Sequence, residues 1–258
     1  MLRPRVIPAL LLHEKALVKT TRFGKFEYIG DPANTVRIFN ELEVDELCFL
    51  DISAARSRKS PNFEVLREIA TECFMPLSYG GGITSFDTAK RIYDTGFEKV
   101  IVNSAAWDDP TLVDEIARVY GTQAVVAAID VGRTWTGATA LMSRGKARRE
   151  RRDVIVWAQE MARRGAGEIL LTAVEREGTW EGFDLDLVSR VAQAVEVPVI
   201  AHGGAGKLDD IGAALQAGAS AVALGSFVVF QKKGMGVLVN FPGPDVLAAQ
   251  FPRTGGEI

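Results

Sequence analysis

Eight short apolar runs alternate with helical patterns in a chain of 258 residues whose halves repeat each other, and together these features predict an α/β fold closed as a (βα)8 barrel. The runs cover 5–12, 46–52, 76–81, 99–104, 123–131, 168–174, 197–201 and 220–225. They are nearly continuous rather than alternating, the pattern of parallel strands buried on both faces. A barrel of this kind takes about 250 residues, so residues 1–258 read as a single domain.

The segments between the runs carry helix signals. Asp31-Pro32, Ser60-Pro61 and Asp109-Pro110 each set an oxygen-bearing cap before a proline suited to the first helical turn. Gly96, Gly121, Gly165 and Gly218 follow periodic segments, where a left-handed residue ends a helix. The repeat appears as half-barrels of about 1–120 and 121–235, followed by a short atypical tail, 236–258. The segment from Pro76 through Gly80-Gly81-Gly82 answers to that from Pro198 through Gly203-Gly204, 122 positions on, and Val102-Asn103-Ser104 answers to Leu224-Gly225-Ser226 at the same offset. Phe49-Leu50-Asp51-Ile52 answers to Leu170-Leu171-Thr172-Ala173 at an offset of 121. Half a barrel cannot bury its own core, so the two copies are expected to close on each other.

The composition, 47% hydrophobic and 24% charged, is ordinary for a globular protein, and a net charge of −3 gives no nucleic-acid footprint. No apolar stretch reaches the ~18 residues of a membrane span, and the N-terminus runs into a strand without the apolar core of a signal peptide. Cys48 and Cys73 lie in apolar runs without metal-ligand spacing, so they read as thiols of a cytoplasmic protein, and neither a metal nor a cofactor is expected.

Two constellations could carry chemistry. Gly80-Gly81-Gly82 with Asn103-Ser104, and Gly203-Gly204 with Gly225-Ser226, end successive pairs of strands. Such glycines can simply turn the chain. Their backbone N–H groups, beside helix N-termini, can also hold phosphate, and two clusters at a fixed offset point to a small-molecule substrate phosphorylated at both ends. Asp51 and Asp130 close the second and fifth runs and are expected to point into the barrel mouth, where carboxylates serve acid–base chemistry.

On the stretches 45–52, 80–83, 102–106, 165–172 and 203–206, the chain resembles the cyclase-subunit family of imidazole glycerol phosphate synthase, from about residue 5 to 227. The resemblance implies a heterodimer: a glutaminase subunit docks under the barrel, and ammonia passes up its centre through a charged gate matched by Arg5, Glu46, Lys99 and Glu168. A plain ring of structural ion pairs is the alternative reading of those four charges. The resemblance also implies a partner contact at Glu98, phosphate contacts at Gly81, Gly82, Asn103, Ser104, Gly178, Gly203, Gly204, Gly225 and Ser226, and catalysis by Asp130. Asp51, Thr172, His202 and Lys19 are accessory candidates.

The match breaks at the partner of Asp130. The family carries an aspartate at the end of the first strand, where this chain has Leu11. His202 replaces a small hydroxyl residue, Glu177 replaces aspartate, and the tail lacks the family's long final helix. The loop 134–152 carries Lys146, Arg148, Arg149, Arg151 and Arg152, which read as a solvated face. This combination resembles a paralogous group that supplies ammonia to a sugar amidotransferase converting acetamido to acetamidino groups in surface polysaccharide or flagellar glycan synthesis. A working cyclase of histidine biosynthesis, and a non-catalytic activator of a glutaminase, are the competing expectations.

Overall fold

A computed structural model describes residues 4–251 apart from 58, 135, 144–147 and 151. The first half runs β1 (Arg5–His13), β2 (Ala16–Thr20), β3 (Phe26–Gly30), α1 (Pro32–Glu41), β4 (Leu47–Asp51), α2 (Ile52–Ser57), α3 (Phe63–Glu72), β5 (Leu77–Gly80), α4 (Phe86–Tyr93), β6 (Lys99–Val102), α5 (Ser104–Asp108) and α6 (Thr111–Tyr120). The second runs β7 (Val125–Arg133), β8 (Thr139–Ser143), β9 (Arg148–Glu150), α7 (Val154–Arg163), β10 (Glu168–Ala173), α8 (Leu185–Ala194), β11 (Val199–His202), α9 (Leu208–Gln216), β12 (Ala221–Leu224), α10 (Ser226–Val229) and α11 (Pro244–Ala248).

All eight predicted runs are strands. They pair in parallel in the order β1, β4, β5, β6, β7, β10, β11, β12, and the pairing of β12 with β1 closes the ring. The result is the expected (βα)8 barrel. Sequence reading missed two antiparallel hairpins, β2–β3 on β1 and β8–β9 on β7, which extend the same strand of each half above the mouth. Their signals are short: Glu14 and Gly137 turn the chain at φ 57 and 82.

Helix starts follow local chemistry. The Asp31 carboxylate accepts the Asn34 amide at 2.9 Å, as its place before Pro32 predicts. Two caps shift. Asn62, rather than Ser60, accepts from Glu64 and Val65 to start α3, and α6 starts after Pro110, with Asp109 accepting the Thr111 amide at 3.0 Å. Relative to the first helical position that the motif implies, Pro110 sits one residue early, as the cap of α6, and Pro61 two residues early, before the cap of α3. Gly96, Gly121, Gly165 and Gly218 all have positive φ after their helices.

Alternation along the strands divides the core into two layers. Outward residues such as Leu47, Phe49 and Tyr79 pack under the helices, while Ile7, Ala9, Cys48, Ile101, Val126, Ala128, Leu170, Ile200, Ala221 and Ala223 fill the lumen. Both cysteines are free. Burial pushes the Cys48 thiol up to about 12, so it stays neutral.

The strand registers match between halves. Leu11 pairs with Leu50 and Leu50 with Gly80, as Asp130 pairs with Thr172 and Thr172 with His202. This corrects the second-strand alignment to an offset of 122: Leu50, not Asp51, is the counterpart of Thr172. Gly81 and Gly203, 122 apart, both have positive φ, at 126 and 93. A Cβ on Gly81 would strike the Asp51 carbonyl, and one on Gly203 would lie 2.8 Å from the Ala173 carbonyl. Gly81→Ala is therefore expected to cost about 1–3 kcal/mol, read as a lower urea midpoint at unchanged slope; an unshifted midpoint would contradict the close approach.

Candidate functional site

The floor of the barrel carries a closed ring of charge. Arg5 begins β1, Lys99 begins β6, Glu168 begins β10, and Glu46 precedes β4, so all four side chains converge under the lumen. Arg5 meets Glu46 at 2.6 Å and Glu168 at 2.5 Å, and Lys99 meets the same two carboxylates at 3.0 and 3.1 Å. Each cation bridges both anions, so the charges cancel within the ring and offset one another's desolvation. Burial works against the Arg5 charge, but Glu168 and Glu46 outweigh it and raise its pKa. Glu98 is exposed on the same face, where its carboxylate accepts the Leu77 amide at 2.6 Å. Phe74, in the loop that leads from α3 into the start of β5, is 88% exposed.

At the opposite end, Asp130, Thr172 and His202 stand abreast on β7, β10 and β11, all facing inward. Asn103 Nδ2 donates to Asp130 at 2.7 Å, and Thr172 Oγ1 lies 3.1 Å from His202 Nδ1. Burial pushes Asp130 up to about 7; hydrogen bonds from Thr172 and Asn103 restrain the rise, and the Glu177 charge adds to it. Burial, helped by the Lys19 charge and opposed by Glu177, takes His202 down to about 4. Near neutral pH the mouth thus holds a carboxyl poised to give or take a proton beside an uncharged imidazole. Asn103 Oδ1 is buried without a hydrogen-bond partner among the described residues, an acceptor available to a ligand donor.

Asp51 does not point where its strand-end position suggested. It falls on the outward parity with Phe49, and its carboxylate accepts Ser53 Oγ, the Ala54 amide and Tyr79 OH at 2.7, 2.8 and 3.1 Å. Those bonds cap α2 and anchor a core tyrosine, although Asp51 still edges the cavity.

The two expected phosphate edges also differ. Gly81, Gly82, Asn103 and Ser104 line a cavity of about 250 Å³ together with Asp130, Thr172, His202 and an apolar wall that includes Leu11, Leu50 and Ile101. Gly178 and Ser226 line a second cavity of about 490 Å³ with Arg22 and Lys233. Gly203 and Gly204 line neither. They are buried behind the 176–182 segment, where the Gly182 amide donates to the Gly204 carbonyl at 2.8 Å. Gly225 is covered by Lys19, whose Cε lies 2.7 Å from where a Cβ would stand.

Lys19 continues across the mouth to a buried ion pair with Glu177. Lys19 also donates to the Thr20 carbonyl at 2.8 Å, while Thr20 Oγ1 and the Phe23 amide reach Glu177 at 3.0 Å each. The sequence marked both residues but gave no sign that they bind each other. In the basic loop, Lys146 and Arg151 lie outside the described residues, as do the side chains of Arg148 and Arg149; Arg152 stacks 4.3 Å over Trp157. None of the described helices is long and apolar enough to cross a membrane.

The histidine biosynthesis protein family matches residues 5–233. A Pseudomonas aeruginosa protein named for imidazole glycerol phosphate synthase subunit hisF2 is 46% identical over 243 residues, covering 94% of this chain and 97% of its own. A Leptospira borgpetersenii protein named for subunit HisF of that synthase is 42% identical over 254 residues, covering 98% and 100%. Imidazole glycerol phosphate synthase subunit HisF of Exiguobacterium sibiricum is 39% identical over 221 residues, covering 86% and 88%.

The opposed pKa shifts give a measurable signature. Asp130 keeps its proton in the folded chain up to about 7 but loses it near 3.8 when unfolded, so its contribution to stability is lost as pH rises through that window. His202 stays neutral when folded down to about 4 but takes a proton near 6.5 when unfolded, so its contribution falls as pH drops. The two slopes cancel over most of the range in the natural chain. Asp130→Asn removes one of them. Its stability relative to the natural chain should grow by about 1.4 kcal/mol per pH unit between roughly pH 4 and 7, in urea unfolding across that range. A flat difference would show that Asp130 titrates normally.

Proposed function

The chain belongs to the histidine biosynthesis protein family, and we propose that it is the ammonia-accepting barrel of a glutamine amidotransferase complex. The observation that carries this reading is the axial arrangement: a self-neutralising charged floor, an apolar lumen, and a proton-active mouth centred on Asp130. Exposed Glu98 and Phe74, both in connections that lead into strand starts, suit the docking of a glutaminase subunit at that end. A phosphorylated substrate would occupy the mouth, held at Gly81, Gly82 and Ser104 on one side and at Gly178 and Ser226 on the other.

Leu11 bears on the pathway. A two-carboxylate cyclase lacks one of its groups here, and loss of a catalytic acid or base costs about 10²–10⁴ in rate. Two relatives carry numbered names, hisF2 and hisF3, which suits a gene kept beside another copy. The chain is therefore assigned to ammonia supply for acetamidino-sugar synthesis, with a separate sugar amidotransferase replacing the acetamido oxygen by nitrogen. The high pKa of Asp130 favours one competing reading, a cyclase still working with a single carboxylate.

Reconstitution with the cognate glutaminase tests the conduit. Product formed from glutamine should exceed that from equimolar ammonium chloride, and Lys99→Met should uncouple the two, leaving glutamine hydrolysis running while ammonia escapes to the medium. Equal use of both nitrogen sources by the natural complex would defeat the proposal. A cyclase-deficient histidine auxotroph should not grow on this gene; growth would replace the sugar pathway with histidine biosynthesis.

A further inference from the structure

Leu11, Leu50 and Gly80 line the mouth of the first half with no proton-carrying group, while the same three positions of the second half hold Asp130, Thr172 and His202. Thr172 stands between the other two in register, 2% exposed, with its hydroxyl 3.1 Å from His202 Nδ1 and facing the Asp130 carboxylate, whose ionised form it stabilises. His202 is 5% exposed and lines the cavity. With Nδ1 committed to Thr172, Nε2 is the ring nitrogen left for a group in that cavity.

We propose that Thr172 couples His202 to Asp130 as a proton relay, so that one carboxylate exchanges protons with the substrate at two points of the mouth. With Asp130 ionised, Thr172 donates to it and accepts from His202 Nδ1–H, leaving the Nε2 lone pair toward the cavity. A substrate O–H or N–H bond breaks as its proton passes to Nε2. The Nδ1 proton moves to Thr172 Oγ1, and the former hydroxyl proton moves to Asp130. The relay ends with a neutral carboxyl, a neutral imidazole of the other tautomer, and the negative charge transferred from Asp130 to the substrate atom. The imidazole is never charged, as its buried place beside the Lys19 ammonium requires. The charged groups facing the relay, Lys19 of β2 and Glu177 of the 176–182 segment, are locked to each other, and Asn103 of the β6–α5 junction only donates to Asp130. A second acid–base position thus exists although position 11 is a leucine.

The relay rests on reading Asp130 as the acid–base group, but its test needs no substrate or partner and so stands apart from the ammonia proposal. The chain has two histidines, so nitrogen-15 NMR of histidine-labelled protein, assigned with His13→Gln, resolves the His202 tautomer. His202 should carry its proton on Nδ1 above pH 7 and on Nε2 below it, becoming imidazolium only near pH 4. Asp130→Asn and Thr172→Val should abolish this tautomer switch with the far-UV circular dichroism unchanged, and Thr172→Ser should retain it. A single tautomer from pH 5 to 8, or a switch that survives in Thr172→Val, would overturn the relay.

Discussion

Closure of eight parallel strands is the constraint on which everything else in the molecule depends. Once β12 pairs with β1, every second side chain of each strand faces an axis from which there is no lateral exit. Position along a strand then becomes height along that axis. Residues at strand starts form the floor, those two or four further on fill the lumen, and the last inward residue reaches the mouth. Arg5, Ile7, Ala9 and Leu11 of β1 show the whole sequence on one strand.

Because the halves share their registers, the mouth can be compared position by position. The second half places a carboxyl, a hydroxyl and an imidazole where the first places two leucines and a glycine. Leu11 is therefore not an isolated loss but part of an apolar wall, with Leu50 beside it and a glycine next to that. Desolvating a carboxyl in such a wall is unfavourable; Asn103 and Thr172 offset part of that penalty for Asp130 and nothing equivalent serves position 11. The first hairpin supplies polarity from outside the barrel instead, with Lys19 reaching over the side-chain-free Gly225 to Glu177. Its counterpart on the second hairpin, Ser143, is short and uncharged, and its hydroxyl donates to Ser104 Oγ at 2.9 Å.

What the sequence revealed follows from the range of the physics involved. Strands buried on both faces are written as continuous apolar runs, and all eight were legible, as were the glycine helix ends and the floor charges at strand starts. The direction of Asp51 was not, because a one-residue step in a strand reverses its face and the chain repeat was misaligned there by one. The Lys19–Glu177 pair was hidden for another reason. It joins residues 158 apart in sequence through a hairpin that carries no run long enough to announce itself. The covering of Gly203 and Gly204 depends on a loop–loop contact of the same long-range kind.

Floor, lumen and mouth share one electrical property on the proposed route. The ring sums to zero charge, the Cys48 thiol stays protonated, and the neighbouring lumen side chains are aliphatic. An ammonium ion entering that lumen would lose its hydration with no fixed counter-charge to replace it, a penalty of several kcal/mol or more. Neutral ammonia meets no such barrier once an ion pair of the ring parts. At the mouth, Asp130 near its midpoint and an uncharged His202 can take up or return protons without leaving a lasting charge in the bore. On that proposed route, selection for the neutral species would need no dedicated filter. It would follow from a lumen lined by small aliphatic groups, sealed at one end by charges that pair with one another.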